Sequence, residues 1–131
     1  MRDLVWAFPI VVLAACATAP EAVDSNGGLE QRVVERWSLL AKGKVADAYG
    51  FLSPATREIT SLERYQGSIK PGIWLGAKAG TSVCTSDDLC TVEVHVSYSY
   101  KAKGVPPYEG VRTLSETWKK DGGQWWYVPS Q

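Results

Sequence analysis

Residues 91–100 read Thr-Val-Glu-Val-His-Val-Ser-Tyr-Ser-Tyr and alternate strictly between two kinds of side chain. Successive side chains of a strand point to opposite faces, so one face carries the even-numbered residues. These are Val92, Val94, Val96, Tyr98 and Tyr100. The other face carries threonine, glutamate, histidine and serine. The pattern predicts a half-buried antiparallel strand with the valines toward the core.

Further strands are predicted on both sides of this segment. With it, they cover residues 73–75, 81–83, 91–100, 111–119 and 124–128. The loop after residue 100 contains a glycine and two prolines, and Asp121-Gly122-Gly123 forms the turn before the last strand. The second half of the chain is therefore predicted to be an antiparallel sheet.

The first half has helical spacing instead. Apolar residues recur at intervals of four, four and three: Leu29, Val33, Trp37 and Leu40. This stripe predicts a long amphipathic helix that ends near Gly43. Four charged residues are expected to lie largely outside the stripe: Glu30, Arg32, Glu35 and Arg36.

Three shorter helices are predicted after this one. The first covers residues 45 to about 51, and the second begins after the cap Ser53-Pro54 and continues through Arg57. The third begins at the capping-box spacing of Thr60 and Glu63 and ends near Gly67. Helices followed by a curled antiparallel sheet predict the α+β class.

The N-terminus carries an apolar run of 12 residues from Leu4 to Ala15, interrupted by Pro9. A membrane-spanning helix needs about 20 apolar residues, whereas a signal peptide needs roughly 7–15. The string Leu13-Ala14-Ala15-Cys16 resembles the lipobox of bacterial lipoproteins. The alternatives to a lipobox are an ordinary signal peptide and a buried helix that contains a cysteine by chance.

The lipobox resemblance implies that Cys16 is lipidated and becomes the first residue after cleavage. Residues 1–15 are then the signal peptide, residues 16–28 a lipidated flexible tether, and residues 29–131 the folded domain. The implied localisation is the bacterial cell envelope, with the membrane as a partner through the lipid. Ala17 resembles the pattern of lipoproteins sent to the outer membrane, facing the periplasm, if the host has two membranes.

Charge and cysteine content narrow the possible functions. The chain has 14 basic and 14 acidic residues and no run of like charge, which argues against nucleic acid as a partner. With Cys16 lipidated, Cys84 and Cys90 remain, separated by five residues that resemble a hairpin turn. We expect a disulfide between them. A metal site with His95 is the alternative, but it lacks a fourth ligand and the usual spacing.

Three phrases resemble the nuclear transport factor 2-like superfamily, also called cystatin-like. They are Trp37-Ser38-Leu39-Leu40, Ala-Tyr-Gly-Phe-Leu-Ser-Pro at residues 48–54, and Asp-Gly-Gly-Gln-Trp-Trp at residues 121–126. The resemblance implies a long helix, short helices and a strongly bent sheet that forms a cone around a pocket. Some relatives, such as ketosteroid isomerases and polyketide cyclases, are enzymes with an acid, histidine or tyrosine inside the cone. Many others are binding or assembly modules, and no catalytic residue is carried over to this chain.

Three residues are the candidates for acid-base chemistry. His95 is the only histidine, but alternation places it on the convex face with Glu93. Asp47 lies on the second helix, where a solvated position is expected. Glu116 alternates with Trp118 and points into the cone only if that face does; a buried carboxylate there would be a functional signal.

The adjacent Trp125 and Trp126 should point to opposite faces, one into the core and one toward a contact surface. The sequence therefore favours a lipid-anchored, non-catalytic domain that binds a small apolar ligand or a protein partner. We expect no cofactor and no metal, since glycine-rich phosphate loops and paired metal ligands are absent or unsupported. The alternatives are a small pocket enzyme of the isomerase, dehydratase or cyclase type, and an accessory subunit of an envelope assembly.

Overall fold

A computed structural model describes residues 27–70 and 72–130 of the chain. The predicted signal peptide and Cys16 lie outside the described residues, as does all of the predicted tether before Gly27. The helices are α1 (Leu29–Ala41), α2 (Val45–Tyr49), α3 (Pro54–Ile59) and α4 (Leu62–Ser68). The strands are β1 (Trp74–Ser86), β2 (Leu89–Tyr100), β3 (Tyr108–Asp121) and β4 (Gln124–Val128).

The described strands form an antiparallel sheet in the order β1-β2-β3-β4, so the fold is α+β. The sheet is not closed, and β1 and β4 are its edges. The strands predicted separately at residues 73–75 and 81–83 belong to one strand, β1. Its pairing with β2 shifts register between Ala79 and Ser82, among other places. Such irregularities bend and twist a strand locally, which explains why its two ends looked like different elements.

The helices begin at their predicted signals except for α4, while α2 ends at Tyr49 rather than near residue 51 and α3 continues to Ile59. Gly43 follows α1 with a φ of 74°, a left-handed conformation that glycine adopts without strain. The Ser53 Oγ accepts a hydrogen bond from the Thr56 backbone N–H at 3.2 Å and caps α3. For α4 the cap is Ser61 rather than Thr60, and its Oγ accepts from the Arg64 N–H. The N-cap was therefore predicted one residue too early, and with Arg64 at the third helical position α4 has no capping box.

The core lies between α1 and the concave face of the sheet. The predicted stripe of α1 is buried, and so are the three valines of β2, with Trp118 from β3 beside them. The prediction that the Arg36 side chain lies outside the apolar stripe of α1 is wrong, since this residue is only 3% exposed. Its position explains this, because a residue three after Val33 and four before Leu40 shares their face of the helix.

Candidate functional site

A groove of about 380 Å³ opens at one end of the concave face of the sheet. Aromatic side chains from three strands, together with one isoleucine and one arginine, form its walls. We call it the aromatic groove, lined by Ile73, Trp74, Tyr98, Tyr100, Tyr108 and Arg112. Pockets for small molecules typically hold 300–1,000 Å³ and are mostly apolar with a few polar groups. The aromatic groove fits that description.

The register of β2 and β3 explains why the groove is aromatic and open. The concave face of β2 is buried as far as Val96, and the next two residues on that face are Tyr98 and Tyr100. Tyr100 pairs with Tyr108, and the two residues are 55% and 57% exposed. The groove is therefore the uncovered continuation of the core face.

Gly110 makes room for one wall of the groove. It pairs with Tyr98, and a methyl group in its place would lie 2.8 Å from the Tyr98 hydroxyl oxygen. The Tyr98 and Tyr108 rings instead lie over this position, with centroids 6.1 Å apart. Partial burial, together with Tyr108, raises the pKa of Tyr98, and the nearby charge of Arg112 opposes that increase.

Glu116 lies deeper on the same face, and both of its carboxylate oxygens accept hydrogen bonds from other side chains. It is 4% exposed, and its Oε2 accepts hydrogen bonds from Arg36 Nη1 at 3.0 Å and from Trp37 Nε1 at 3.1 Å. Its Oε1 accepts from Trp118 Nε1 at 3.3 Å. Both carboxylate oxygens are thus occupied by protein donors. The candidate Glu116 does point inward, but as the acceptor of a buried ion pair.

Arg36 completes this buried cluster from α1. Its Nη2 donates to the Tyr65 hydroxyl at 3.1 Å, and its guanidinium carbon lies 3.7 Å from the centroid of the Tyr127 ring. Burial raises the pKa of Tyr127, although the charge of Arg36 opposes the shift. The Nε of Arg36 is buried without a hydrogen-bond partner in the described part of the chain. Charged and aromatic side chains from four elements therefore fill this part of the core.

The three candidates for acid-base chemistry are not brought together. Asp47 is exposed on α2. His95 lies on the convex face, as predicted, with Nε2 3.1 Å from Glu93 Oε1 and Nδ1 3.0 Å from Thr113 Oγ1. Glu116 is buried on the opposite face. His95 thus contacts Glu93 on its own strand and Thr113 on β3, and the latter two residues also line a shallow pocket of about 330 Å³ on the convex face.

Cys84 and Cys90 lie at disulfide distance, with their Sγ atoms 2.03 Å apart. They are paired across the β1–β2 hairpin, as the spacing predicts. Among residues 27–70 and 72–130, no group of three or more histidine, cysteine, aspartate or glutamate side chains is arranged to hold a metal ion.

The two adjacent tryptophans separate as predicted. Trp125 is buried, whereas the ring of Trp126 is half-buried between two arginines. The guanidinium carbons of Arg32 and Arg57 each lie 5.7 Å from the Trp126 centroid. Arg32 also lies 4.0 Å above the Phe51 ring and donates to the Trp125 carbonyl, so it packs as part of the domain.

The sequence prediction missed Arg36 and most of the groove. The even-numbered alternation of β2 already pointed Tyr98 and Tyr100 to the concave face. Extending the same alternation into β3 would have added Tyr108 and Arg112, because both are even-numbered and precede Glu116 on that strand. The open end of the face had no sequence signal, because it depends on where α1 stops covering the sheet.

Comparisons with known proteins describe the fold alone. No family model matches the chain, and no curated protein matches it. The chain is similar to the solution structure of a SEC-C motif containing protein from Rhodopseudomonas palustris, with a TM-score of 0.60 and 16% identity. The match covers 80% of this chain and 78% of that one. No described helix is long and apolar enough to cross a membrane.

Proposed function

We propose that this chain is a lipid-anchored protein of the bacterial envelope whose folded part is a non-catalytic binding domain. In this proposal the domain has a nuclear transport factor 2-like cone, and its ligand site is the aromatic groove. The open α+β sheet with a long first helix and short following helices supports the cone assignment. The lipobox-like string ending at Cys16 supports the anchor.

The main support for a binding role is the exposed aromatic end of the concave face. Exposed tyrosines at Tyr100 and Tyr108 continue a surface that elsewhere forms the core. Aromatic side chains offer a large contact area at a low entropic cost when they bind a ligand. An apolar molecule that covers these rings would gain the burial that the domain itself leaves unused.

The buried carboxylate argues against catalysis at this site. A general acid or base must reach the proton that it transfers, within hydrogen-bond distance or through one water. The oxygens of Glu116 accept from Arg36, Trp37 and Trp118 instead. Loss of these contacts would leave the charge of Arg36 buried without its carboxylate, so Glu116 is better suited to stabilise the core than to react.

An accessory role in an envelope assembly is the second candidate. It is favoured by exposed apolar side chains outside the groove, including Val83 and Val111. The register places both on the convex face, opposite Thr91 and Ser97. Thr91 and Ser97 lie six positions apart along β2, roughly 20 Å, so the two valines would belong to a broad contact surface rather than to one compact apolar patch. Binding at the groove and docking by the convex face use opposite sides of the sheet and can be tested separately.

The groove is tested with a neutral apolar probe, 2-naphthamide, titrated into the full chain in non-ionic detergent and followed by ligand-detected NMR. We expect Tyr108→Ala to weaken binding by about fivefold, the equivalent of roughly 1 kcal/mol of aromatic contact. Val111→Ala, an exposed change on the convex face, is the control and should leave affinity unchanged. Equal affinity for the wild type and Tyr108→Ala would refute binding at the groove.

The anchor is tested by labelling the bacterial host with palmitate. The wild-type chain should incorporate the label and Cys16→Ser should not, because the acyl chains require that thiol. Intact-mass analysis of the wild type should give a chain that begins at Cys16. A chain that retains residues 1–15, or an unmodified Cys16, would refute the anchor without affecting the groove.

A further inference from the structure

We propose that the ligand of the aromatic groove is a small organic anion with an apolar body, whose negative group contacts Arg112. This inference rests on the proposed function, since it names the ligand class of the same groove. It depends on one charged residue on an otherwise aromatic wall.

Arg112 brings a charge that the described protein does not neutralise. It lies on the concave face, where it pairs with Val96 in the register of β2 and β3. Its guanidinium makes no hydrogen bond or ion pair with any residue in the described ranges. The nearest acid along β3 is Glu109, which pairs with Ser99 and therefore points to the convex face. A guanidinium stays charged in proteins and binds carboxylates through two parallel hydrogen bonds.

The remaining groove residues select against a purely polar anion. Ile73 and Trp74 form one side, and the rings of Tyr98 and Tyr108 form another. A bare inorganic anion would contact Arg112 but leave these surfaces in water. A neutral apolar ligand would cover the rings but remove water from a charge that then has no partner, which is costly. An amphipathic anion satisfies both parts of the groove.

The position of the tether favours a dissolved ligand over the anchoring bilayer. A methyl group at Gly27 would lie 3.2 Å from the Nζ of Lys120, so the described chain begins beside the β3–β4 hairpin. Tyr108 starts the other end of the 14-residue strand β3, about 40 Å away along the strand. The 11 residues after Cys16 that lead to Gly27 span at most about 40 Å when fully extended. With β3 upright on the bilayer, the groove would therefore lie about 40 Å from the membrane, and the tether would have to be fully extended for the groove to reach it.

The test compares two probes of nearly equal shape, 2-naphthoate and 2-naphthamide, which differ in charge. Both are titrated into the full chain in non-ionic detergent, so that the background from micelles is common to all variants. We expect the wild type to bind the naphthoate roughly tenfold more tightly, as a charge-assisted hydrogen bond predicts. Arg112→Gln should reduce that preference to about threefold or less, by weakening the binding of the naphthoate and removing the desolvation cost that opposes the naphthamide.

The matched control is Arg64→Gln, an exposed arginine on α4, which should retain the full preference. Equal affinity of the wild type for both probes, or a preference that survives in Arg112→Gln, would overturn the anion while leaving the proposed groove intact. If neither the naphthoate nor the naphthamide binds, both the groove and its anionic ligand are refuted. Arg112-dependent sedimentation with phosphatidylglycerol vesicles, without naphthoate binding, would assign the groove to a bilayer and overturn the dissolved ligand.

Discussion

Glu116→Gln provides the sharpest test of the physical reasoning. The substitution keeps the shape of the side chain and removes its charge, while Arg36 remains 3% exposed and loses its carboxylate partner at 3.0 Å. Removing one member of a buried ion pair costs about 3–5 kcal/mol, because the other charge stays buried without compensation. For a domain of about 100 residues this lowers the melting temperature by roughly 12–20 °C.

The assay is urea unfolding of the disulfide-intact protein, followed by circular dichroism and tryptophan fluorescence. The double variant Arg36→Met/Glu116→Gln removes both charges, and its single amide oxygen can still accept from the indole of Trp37 or of Trp118, as it can in Glu116→Gln alone. It should recover at least about 2 kcal/mol relative to Glu116→Gln alone. Glu109→Gln, an exposed carboxylate on the convex face, is the control and should change stability by less than about 0.5 kcal/mol.

A loss below about 1 kcal/mol in Glu116→Gln would refute this account, because the buried charge of Arg36 would then be tolerated without its partner. A double variant as unstable as the single one would also refute it. In that case the loss would come from the shape or the hydrogen bonds of residue 116 rather than from the uncompensated charge.

Three further predictions concern stability. Cys84→Ser should lower the free energy of unfolding by about 2 kcal/mol, since the disulfide closes a short loop, and should not move the protein to another compartment. Thermal unfolding under oxidising conditions measures this loss, and an unchanged melting temperature would contradict the disulfide. Ser53→Ala should cost about 1 kcal/mol in urea unfolding, because the Thr56 N–H loses its cap. Ser115→Ala, at an exposed position of β3, is the comparison. The raised pKa of Tyr127 means that the unfolded state loses this proton first, so the stability is complete below about pH 10 and falls as the pH rises above it; Tyr127→Phe should make that alkaline decline shallower, and an identical slope would contradict the shift.

Much of the fold was predictable because it depends on local periodicity. The helical spacing of Leu29, Val33 and Trp37, four residues each, predicted α1, and the alternation around Val94 predicted the concave face of β2. These patterns depend on neighbours within one element, so they need no knowledge of the rest of the chain. The ends of strands were predicted less accurately. Strand β3 begins at Tyr108 rather than at residue 111, because the prolines and glycine around this point predict a loop.

The candidate site was predictable only in part. The convex position of His95 followed from alternation, whereas Glu116 was left between two possible faces. Its partner Arg36 is 80 residues away, on a helix whose charged residues were all expected outside the apolar stripe. An ion pair of this kind has no local signature, because each charge alone would be unfavourable in the core.

By itself, the sequence determined that helices precede the sheet, the face to which each residue of β2 points and the pairing of Cys84 with Cys90. All three follow from covalent geometry or from spacing along the chain. Only the tertiary structure decided how far α1 covers the concave face, and therefore which aromatic residues lie in the core and which line an open groove. It also decided that Glu116 is satisfied by Arg36. Both outcomes depend on how distant elements pack, and packing is a property of the whole assembly of elements rather than of any one of them.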